Sequence, residues 1–167
     1  MQKLRKHLQF LVKATNQHGV HSPFVYSYVT KCLYNKLKYK GSKSINVLFK
    51  SISYFEAKRI MLPDGENELK EAILKKFPEI EFVTEEADII FLPKEGADQA
   101  EKLLSNKKNL HNNTMVLIDY IYLSKKNEAI WKTLKQNHKV TVTVDMFYCG
   151  AIFVRREQVK EHFKIRI

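Results

Sequence analysis

Apolar runs and helical periodicities alternate along the last two thirds of the chain. Short apolar runs, each typical of a strand, lie at 60–62, 80–83, 89–92 and 115–121. Apolar residues at helical spacing fall between most of these runs and predict helices over 66–77, 97–106 and 124–136. Strands that alternate with helices are typical of a mainly parallel sheet covered on both faces. The pattern therefore predicts an α/β fold.

The pattern changes near the end of the chain. Valine and threonine alternate in "KVTVTVD" (139–145), which predicts a half-exposed strand. The next strand, "GAIFVRR" (150–156), follows a connection too short for a crossover helix, so the two strands are expected to be antiparallel. Phe163, Ile165 and Ile167 alternate with polar residues and predict a final edge strand with these three side chains on one face.

The first third of the chain is helical in pattern and basic. Leu4, Leu8, Leu11 and Val12 recur at helical spacing and predict one apolar helix face that packs on the domain, with a membrane-surface helix as the alternative. A further helix is predicted over 44–54. We expect residues 1–57 to form a helical extension packed on an α/β core of residues 58–167, in one compact unit.

Composition bounds the class of protein. The 167 residues are 44% apolar, as in a globular domain, and no apolar run is long enough to span a bilayer. Lys and Arg number 29 against 18 Asp and Glu, and this net charge of +11 permits nucleic acid or an anionic membrane as a partner. Cys32 and Cys149 are too few for a disulfide framework, so we expect reduced thiols in a cytoplasmic protein.

A lysine-rich segment favours nucleic acid as one partner class. Five lysines between positions 31 and 43 cluster with Tyr34 and Tyr39, and such a set could bind phosphates and stack on bases. No nucleic-acid-binding motif accompanies the cluster. A solvated basic face is the simpler interpretation.

Three segments support a family resemblance: "HGVHSPFVYS" (18–27), "FKSISYFEAKRIML" (49–62) and "VTVTVDMFYCGAIFVRREQVKEHFKIRI" (140–167). Together they resemble a bacterial family of class I S-adenosylmethionine-dependent methyltransferase-like proteins, related in fold to small-molecule O-methyltransferases. The resemblance implies a Rossmann-like, mostly parallel sheet that ends in an antiparallel strand pair. Only one helix and one strand lie between Leu62 and Asp88, so the chain is expected to be shorter by about one βα unit. Whether residues 80–83 correspond to the second or the third family strand stays open.

The resemblance also implies where adenosylmethionine would bind. The family's cofactor loop has the form E-x-G-x-x-x-G after the first strand, and an acidic residue after the second strand holds the ribose. The corresponding segment here is "LPDGENEL" (62–69), with Pro63 in place of the glutamate and Gly65 as its only glycine. Asp64, Gly65 and Glu85 are the residues that would remain of a vestigial cofactor site. We expect Asp64 to cap the helix that follows.

The expected catalytic residues are also incomplete. The resemblance implies a D-D-x-H-like end to the fifth family strand, and "LIDYIYLS" (117–124) keeps only Asp119. One carboxylate is a poor site for a divalent cation, so no metal is expected. Asp119 is the single candidate catalytic residue, and an ordinary structural role at a strand end is its alternative.

These observations predict a methyltransferase-like protein that has lost cofactor binding and acts as a non-catalytic binding or scaffold module. A homodimer and another protein are the two partner classes expected for such a module. No cofactor is then expected. One alternative is an active methyltransferase that uses adenosylmethionine, with Asp119 and Glu85 in a reshaped site. A second alternative is a basic nucleic-acid-binding module.

Overall fold

A single sheet forms the centre of the protein in the computed structural model, which describes residues 2–94, 98–106 and 108–167. Its seven strands are β1 (Arg59–Met61), β2 (Glu81–Phe82), β3 (Ile89–Leu92), β4 (Met115–Asp119), β5 (Val142–Asp145), β6 (Cys149–Phe153) and β7 (Glu161–Lys164). They lie in the order β2-β1-β3-β4-β6-β5-β7. β4 ends two residues earlier than predicted because Tyr120 turns the chain with a φ of 48°.

Helices precede the sheet and connect its strands. Those in the described residues are α1 (Gln2–Lys13), α2 (Pro23–Ser27), α3 (Lys43–Phe55), α4 (Asn67–Lys76), α5 (Gln99–Ser105) and α6 (Lys125–Gln136). A π-helical turn over Tyr28–Leu33 continues α2. The predicted start of α5 at residue 97 lies outside the described residues. None of the described helices is long and apolar enough to cross a membrane.

The strand directions confirm a mostly parallel sheet with an antiparallel pair near the C-terminus. β1 is parallel to β2 and β3, β3 is parallel to β4, and β5 is parallel to β7. β6 is antiparallel to both of its neighbours, β4 and β5. All strands except β6 therefore point the same way and end at one side of the sheet. We call this side the carboxyl edge and the opposite side the amino edge.

Two apolar cores cover the two faces of the sheet. On one face, α2, α3 and α4 pack on alternate strand residues around the fully buried ring of Tyr28, whose hydroxyl lies 3.0 Å from the Ser51 hydroxyl. On the other face, α5 and α6 pack around Trp131 and Leu134. Gly150 of β6 is needed here, because a Cβ at this position would lie 2.5 Å from the Trp131 ring. Residues from the first third of the chain therefore form part of the sheet's main core.

The predicted inward face of α1 is wrong. Of its four predicted residues, Leu4, Leu8 and Val12 are 65%, 56% and 86% exposed, and Leu11 alone is partly buried against the domain. Phe10 and Ala14 are buried instead. The helix does pack on the domain, but through the face that carries Phe10, because this ring contacts Phe147 with centroids 5.5 Å apart. An aromatic side chain buries more apolar surface than the leucines it displaces.

The predicted half-exposed character of residues 139–145 is also wrong. All four residues of β5 are buried, and the strand is paired on both sides, by β6 and by β7. Thr143 is accommodated because its hydroxyl lies 2.9 Å from Nδ1 of His162. The valines of β5 therefore face the apolar main core, and Thr143 faces the other side, where His162 is its hydrogen-bond partner.

The predicted final edge strand is confirmed. β7 pairs only with β5 among the strands of the described residues. Ile165, just after β7, is buried in the main core, and Phe163 and Ile167 are partly buried against the same core. Thr15 extends this end of the sheet, because its N–H donates to the Lys164 carbonyl at 2.8 Å and its carbonyl accepts from Arg166 N–H. The segment that follows α1 and the last residues of the chain therefore meet beside β7.

Replacing Ile165 with alanine is expected to lower the free energy of unfolding by about 2–5 kcal/mol, because the side chain is fully buried in the main core. Arg166→Ala is the matched control, since the neighbouring side chain is exposed, and it should change stability by less than about 0.5 kcal/mol. Urea unfolding followed by Trp131 fluorescence measures both. Equal stability of the two variants would contradict a buried edge strand.

Candidate functional site

The sheet order defines one position where open α/β sheets bind ligands. The chain passes from β1 outward to β2 and then crosses back to place β3 on the other side of β1. Ligands of such sheets bind outside the carboxyl ends of the strands at this change of direction. The loops after β1 and β3 therefore form the expected ligand position on the carboxyl edge. Residues 95–97, in the second loop, lie outside the described residues.

The predicted cofactor residues lie in two neighbouring exposed loops. Asp64 and Gly65 follow β1, and Glu85 follows the adjacent strand β2, so all three lie at the carboxyl edge. Gly65 has a φ of +91°, which favours glycine, and a Cβ built on it would meet no atom within 4 Å. This turn is open to solvent, and its geometry requires glycine for the backbone conformation rather than for a close contact.

The predicted capping role of Asp64 is wrong. The N-cap of α4 is Glu66, and no side chain makes a capping hydrogen bond there. Asp64 lies two residues before the N-cap, outside the position from which a side chain reaches the first free N–H groups. By contrast, Ser124 caps α6 as its sequence position predicts, since its hydroxyl accepts from Asn127 N–H.

Asp119 lies elsewhere on the carboxyl edge and is held by the first third of the chain. The residue is the last of β4 and is 9% exposed. The Ser44 hydroxyl, in the first turn of α3, donates to its carboxylate and also lies near the Tyr148 carbonyl. A buried carboxylate needs such donors to offset the loss of hydration. This contact joins α3 to the end of β4.

Aromatic rings from α1 and from two loops cover the carboxyl ends of β4 and β5. The cluster, here called the aromatic cover, consists of His7, Phe10, Tyr122, Phe147 and Tyr148. Phe147 is its centre, with ring centroids 4.5 Å from His7, 5.5 Å from Phe10 and 5.4 Å from Tyr122. Side chains of the protein's own first helix thus contact the loops that follow β4 and β5.

Asp145, at the end of β5, lies beneath the aromatic cover. The Tyr122 hydroxyl donates to its carboxylate, and the Phe147 N–H donates at 3.0 Å. Burial raises the pKa of Asp145 above its usual value, despite these donors. Burial and the nearby Asp145 charge also raise the pKa of Tyr122. Phe147 has a φ of 67°, a conformation that costs energy for an aromatic residue and that the surrounding contacts maintain.

The four predicted site residues form two separate groups. Asp64, Gly65 and Glu85 follow β1 and β2, whereas Asp119 ends β4, and β3 lies between β1 and β4. Asp119 is hydrogen-bonded by Ser44 of α3, and the other three are exposed. In the described residues, no three His, Cys, Asp or Glu side chains are close enough together to hold a metal ion.

A cavity of about 630 Å³ at the amino edge was not predicted from the sequence. Phe24, Tyr54 and Phe55 form its aromatic side, and the polar residues Glu56, Lys58, Asp88, His111, Asn113 and Arg155 line the rest. Its residues come from widely separated segments that precede β1, β3 and β4 or follow β6. Only the pairing of these strands brings them together, so no local pattern could have identified the cavity.

The most polar contact in this cavity is the pair formed by Asp88 and His111. Nε2 of His111 lies 3.0 Å from the Asp88 carboxylate, and Nδ1 accepts from the Asn113 N–H, so both ring nitrogens are used. Asp88 also accepts from the N–H groups of Lys58 and Arg59 at 2.9 and 2.8 Å. Burial alone would raise the pKa of Asp88, but these backbone donors and His111 hold it below its usual value. The pair connects the starts of β1, β3 and β4.

No protein-family model matches the chain, and no curated protein shows significant similarity to it.

Two carboxylates are expected to give opposite pH trends in stability. The lowered pKa of Asp88 adds stability above the unfolded value of about 3.9, and this is lost as pH falls. Asp88→Asn should lower the free energy of unfolding by about 1–2 kcal/mol at neutral pH, and this loss should therefore shrink in acid.

The raised pKa of Asp145 adds stability that is complete below about 3.9 and lost as pH rises. Asp145→Asn should therefore gain stability relative to the native protein as pH rises toward 7.

Urea unfolding of the native protein and of both variants, at steps between roughly pH 3 and 7, measures these trends. Parallel pH profiles for all three proteins would show that neither carboxyl has a shifted pKa.

Proposed function

We propose that this protein is a methyltransferase-like binding or scaffold module of the cytoplasm that does not use adenosylmethionine. The observation that carries the proposal is that the protein's own first third occupies the part of the carboxyl edge near β4 and β5. Ser44 binds the single candidate catalytic carboxylate, Asp119, and α1 contributes His7 and Phe10 to the aromatic cover. A substrate pocket in an active enzyme of this layout needs that space to be free.

The sheet order is consistent with a shortened class I methyltransferase sheet. β2 is parallel to β1 and directly beside it, as the second strand is in doubly wound sheets whose order begins 3-2-1. On this correspondence, residues 80–83 take the place of the second family strand, and the third βα unit is the one that is missing. The reversed strand β6, between β4 and β5, matches the antiparallel pair that the resemblance implies.

The loop after β1 supports the loss of cofactor binding. Gly65 is followed at once by the N-cap Glu66 and by α4, so Glu68 and Leu69 stand in the first helical turn. The resemblance implies a glycine at about that place, where bare backbone would approach the cofactor. Glu85 is available as a ribose ligand in the neighbouring loop, but one exposed carboxylate provides little binding energy by itself.

The protein is expected to bind neither adenosylmethionine nor adenosylhomocysteine with a Kd tighter than roughly 100 μM, which corresponds to about −5.5 kcal/mol. Isothermal calorimetry at neutral pH measures this, with an active class I methyltransferase as the positive control in the same buffer. Trp131 fluorescence establishes that the sample is folded. Tighter binding would overturn the proposal and favour the active-enzyme alternative. Loss of that binding in Glu85→Gln or Gly65→Ala would then locate the site.

The exposed lysines between positions 31 and 43 favour a second candidate function, nucleic-acid binding. Lys31, Lys36, Lys38, Lys40 and Lys43 are all exposed. The neighbouring tyrosines are engaged within the protein, since the Tyr34 hydroxyl donates to the Arg166 carbonyl and the Tyr39 ring packs 5.2 Å from Phe49. This surface offers cations for phosphates but no free aromatic platform for bases.

If nucleic acid is a partner, its affinity should fall steeply with salt and should not depend on base sequence, because the contacts are to phosphates. The variant Lys36→Gln/Lys38→Gln/Lys40→Gln should weaken binding and flatten the salt dependence. Lys75→Gln/Lys132→Gln, which removes exposed charges from other surfaces, is the control. Fluorescence anisotropy with single-stranded RNA measures both effects. Binding that is insensitive to salt, or absent at low salt, would exclude this function.

A further inference from the structure

The outward face of α1 carries an ordered row of exposed apolar side chains. Leu4, Leu8 and Val12, here called the outer stripe, are each more than half exposed. They are four residues apart, so they are neighbours along one side of the helix. The helix itself is anchored, because Phe10 and Ala14 on its other side are buried against the domain. The outer stripe is therefore held in place and directed away from the core.

Cationic side chains run beside the outer stripe. Arg5 and Lys13 are exposed, and each follows a stripe residue by one position, which places it about 100° further around the helix. α1 contains basic residues but no acidic residue. Glu128 of α6 forms an ion pair with Lys6 of α1. The free charge along the outer stripe is therefore positive, as is the net charge of the whole chain, +11.

We infer that the outer stripe binds the surface of an anionic lipid membrane, with α1 lying flat in the interface. Leu4, Leu8 and Val12 would enter the boundary between headgroups and acyl chains. Arg5 and Lys13 would remain at the level of the lipid phosphates and anionic headgroups. Apolar area and electrostatic attraction to anionic lipid together set the strength of this kind of binding.

The dimensions of the outer stripe favour a membrane over a protein partner. A stable protein interface covers about 800 Å² and 20–30 residues on each partner. Three side chains on a convex helix form a much smaller contact. A lipid surface deforms around the side chains and needs no matching shape. Nucleic acid is a poor alternative, because Leu and Val make no favourable contact with phosphates.

Flotation of the full chain with lipid vesicles tests the inference. Vesicles of phosphatidylcholine alone are compared with vesicles in which roughly a third of the lipid is phosphatidylglycerol. The protein should float with the anionic vesicles and much less with the neutral ones. Raised salt should weaken the binding in part, because screening affects Arg5 and Lys13 but not the buried apolar side chains.

Two matched variants separate the apolar and electrostatic contributions. Leu4→Ser/Leu8→Ser/Val12→Ser should partition about tenfold or more weakly, because it removes the inserted side chains. Val159→Ser, which replaces another exposed apolar residue, at 78% exposure, should leave partitioning unchanged. Arg5→Gln/Lys13→Gln should lower binding more than Lys75→Gln/Lys132→Gln, which removes the same charge elsewhere. All variants should keep the native melting temperature, since every replaced side chain is exposed.

The inference is overturned if the native protein does not float with anionic vesicles, or if the triple Ser variant floats as well as the native protein. Sedimentation velocity provides a further check. Self-association of the native protein that the triple Ser variant loses would identify the outer stripe as a contact between two copies, and this too would overturn the membrane assignment.

Discussion

The hydrogen bond from Ser44 to the Asp119 carboxylate connects the two halves of this protein. Asp119 is nearly inaccessible to solvent at the end of the buried strand β4, and a carboxylate in that position must be hydrogen-bonded. The donor comes from α3, 75 positions earlier in the chain. The same helix packs on the sheet through the main core, beside Tyr28 and Ser51. The first third of the chain is therefore part of the structure that the sheet needs, and its position closes one part of the carboxyl edge.

This closure limits the space that a ligand could occupy at the carboxyl edge. The layout of the sheet provides a ligand position at the carboxyl edge. The half near β4 and β5 is filled by the aromatic cover and by hydrogen bonds to Asp119 and Asp145. The half near β1 and β2 retains open loops, in which Asp64, Gly65 and Glu85 are exposed. At the same time α1 uses one side to build the aromatic cover and leaves the outer stripe in solvent. These features are the basis on which we propose a scaffold with an outward binding helix.

The strands were predictable from the sequence because buried parallel strands are near-continuous apolar runs, as in β3 and in β4 before Asp119. Features that depend on contacts between residues far apart in the sequence could not be predicted in this way. The inward face of α1 is decided by the contact of Phe10 with Phe147, and the burial of Thr143 by its contact with His162. Asp119 was identified as a candidate, but its partner Ser44 was not, because nothing near either residue signals the other. The amino-edge cavity was missed for the same reason, since Asp88 and His111 meet only when β3 and β4 pair.

A double-mutant cycle on Ser44 and Asp119 measures this closure most directly. The free energies of unfolding of the native protein, Ser44→Ala, Asp119→Ala and the double variant give the coupling between the two side chains. A buried hydrogen bond to a carboxylate predicts a coupling of roughly 1.5–3 kcal/mol. Additive effects, within about 0.5 kcal/mol, would mean that α3 does not hold Asp119 and that the carboxyl edge is not closed in this way.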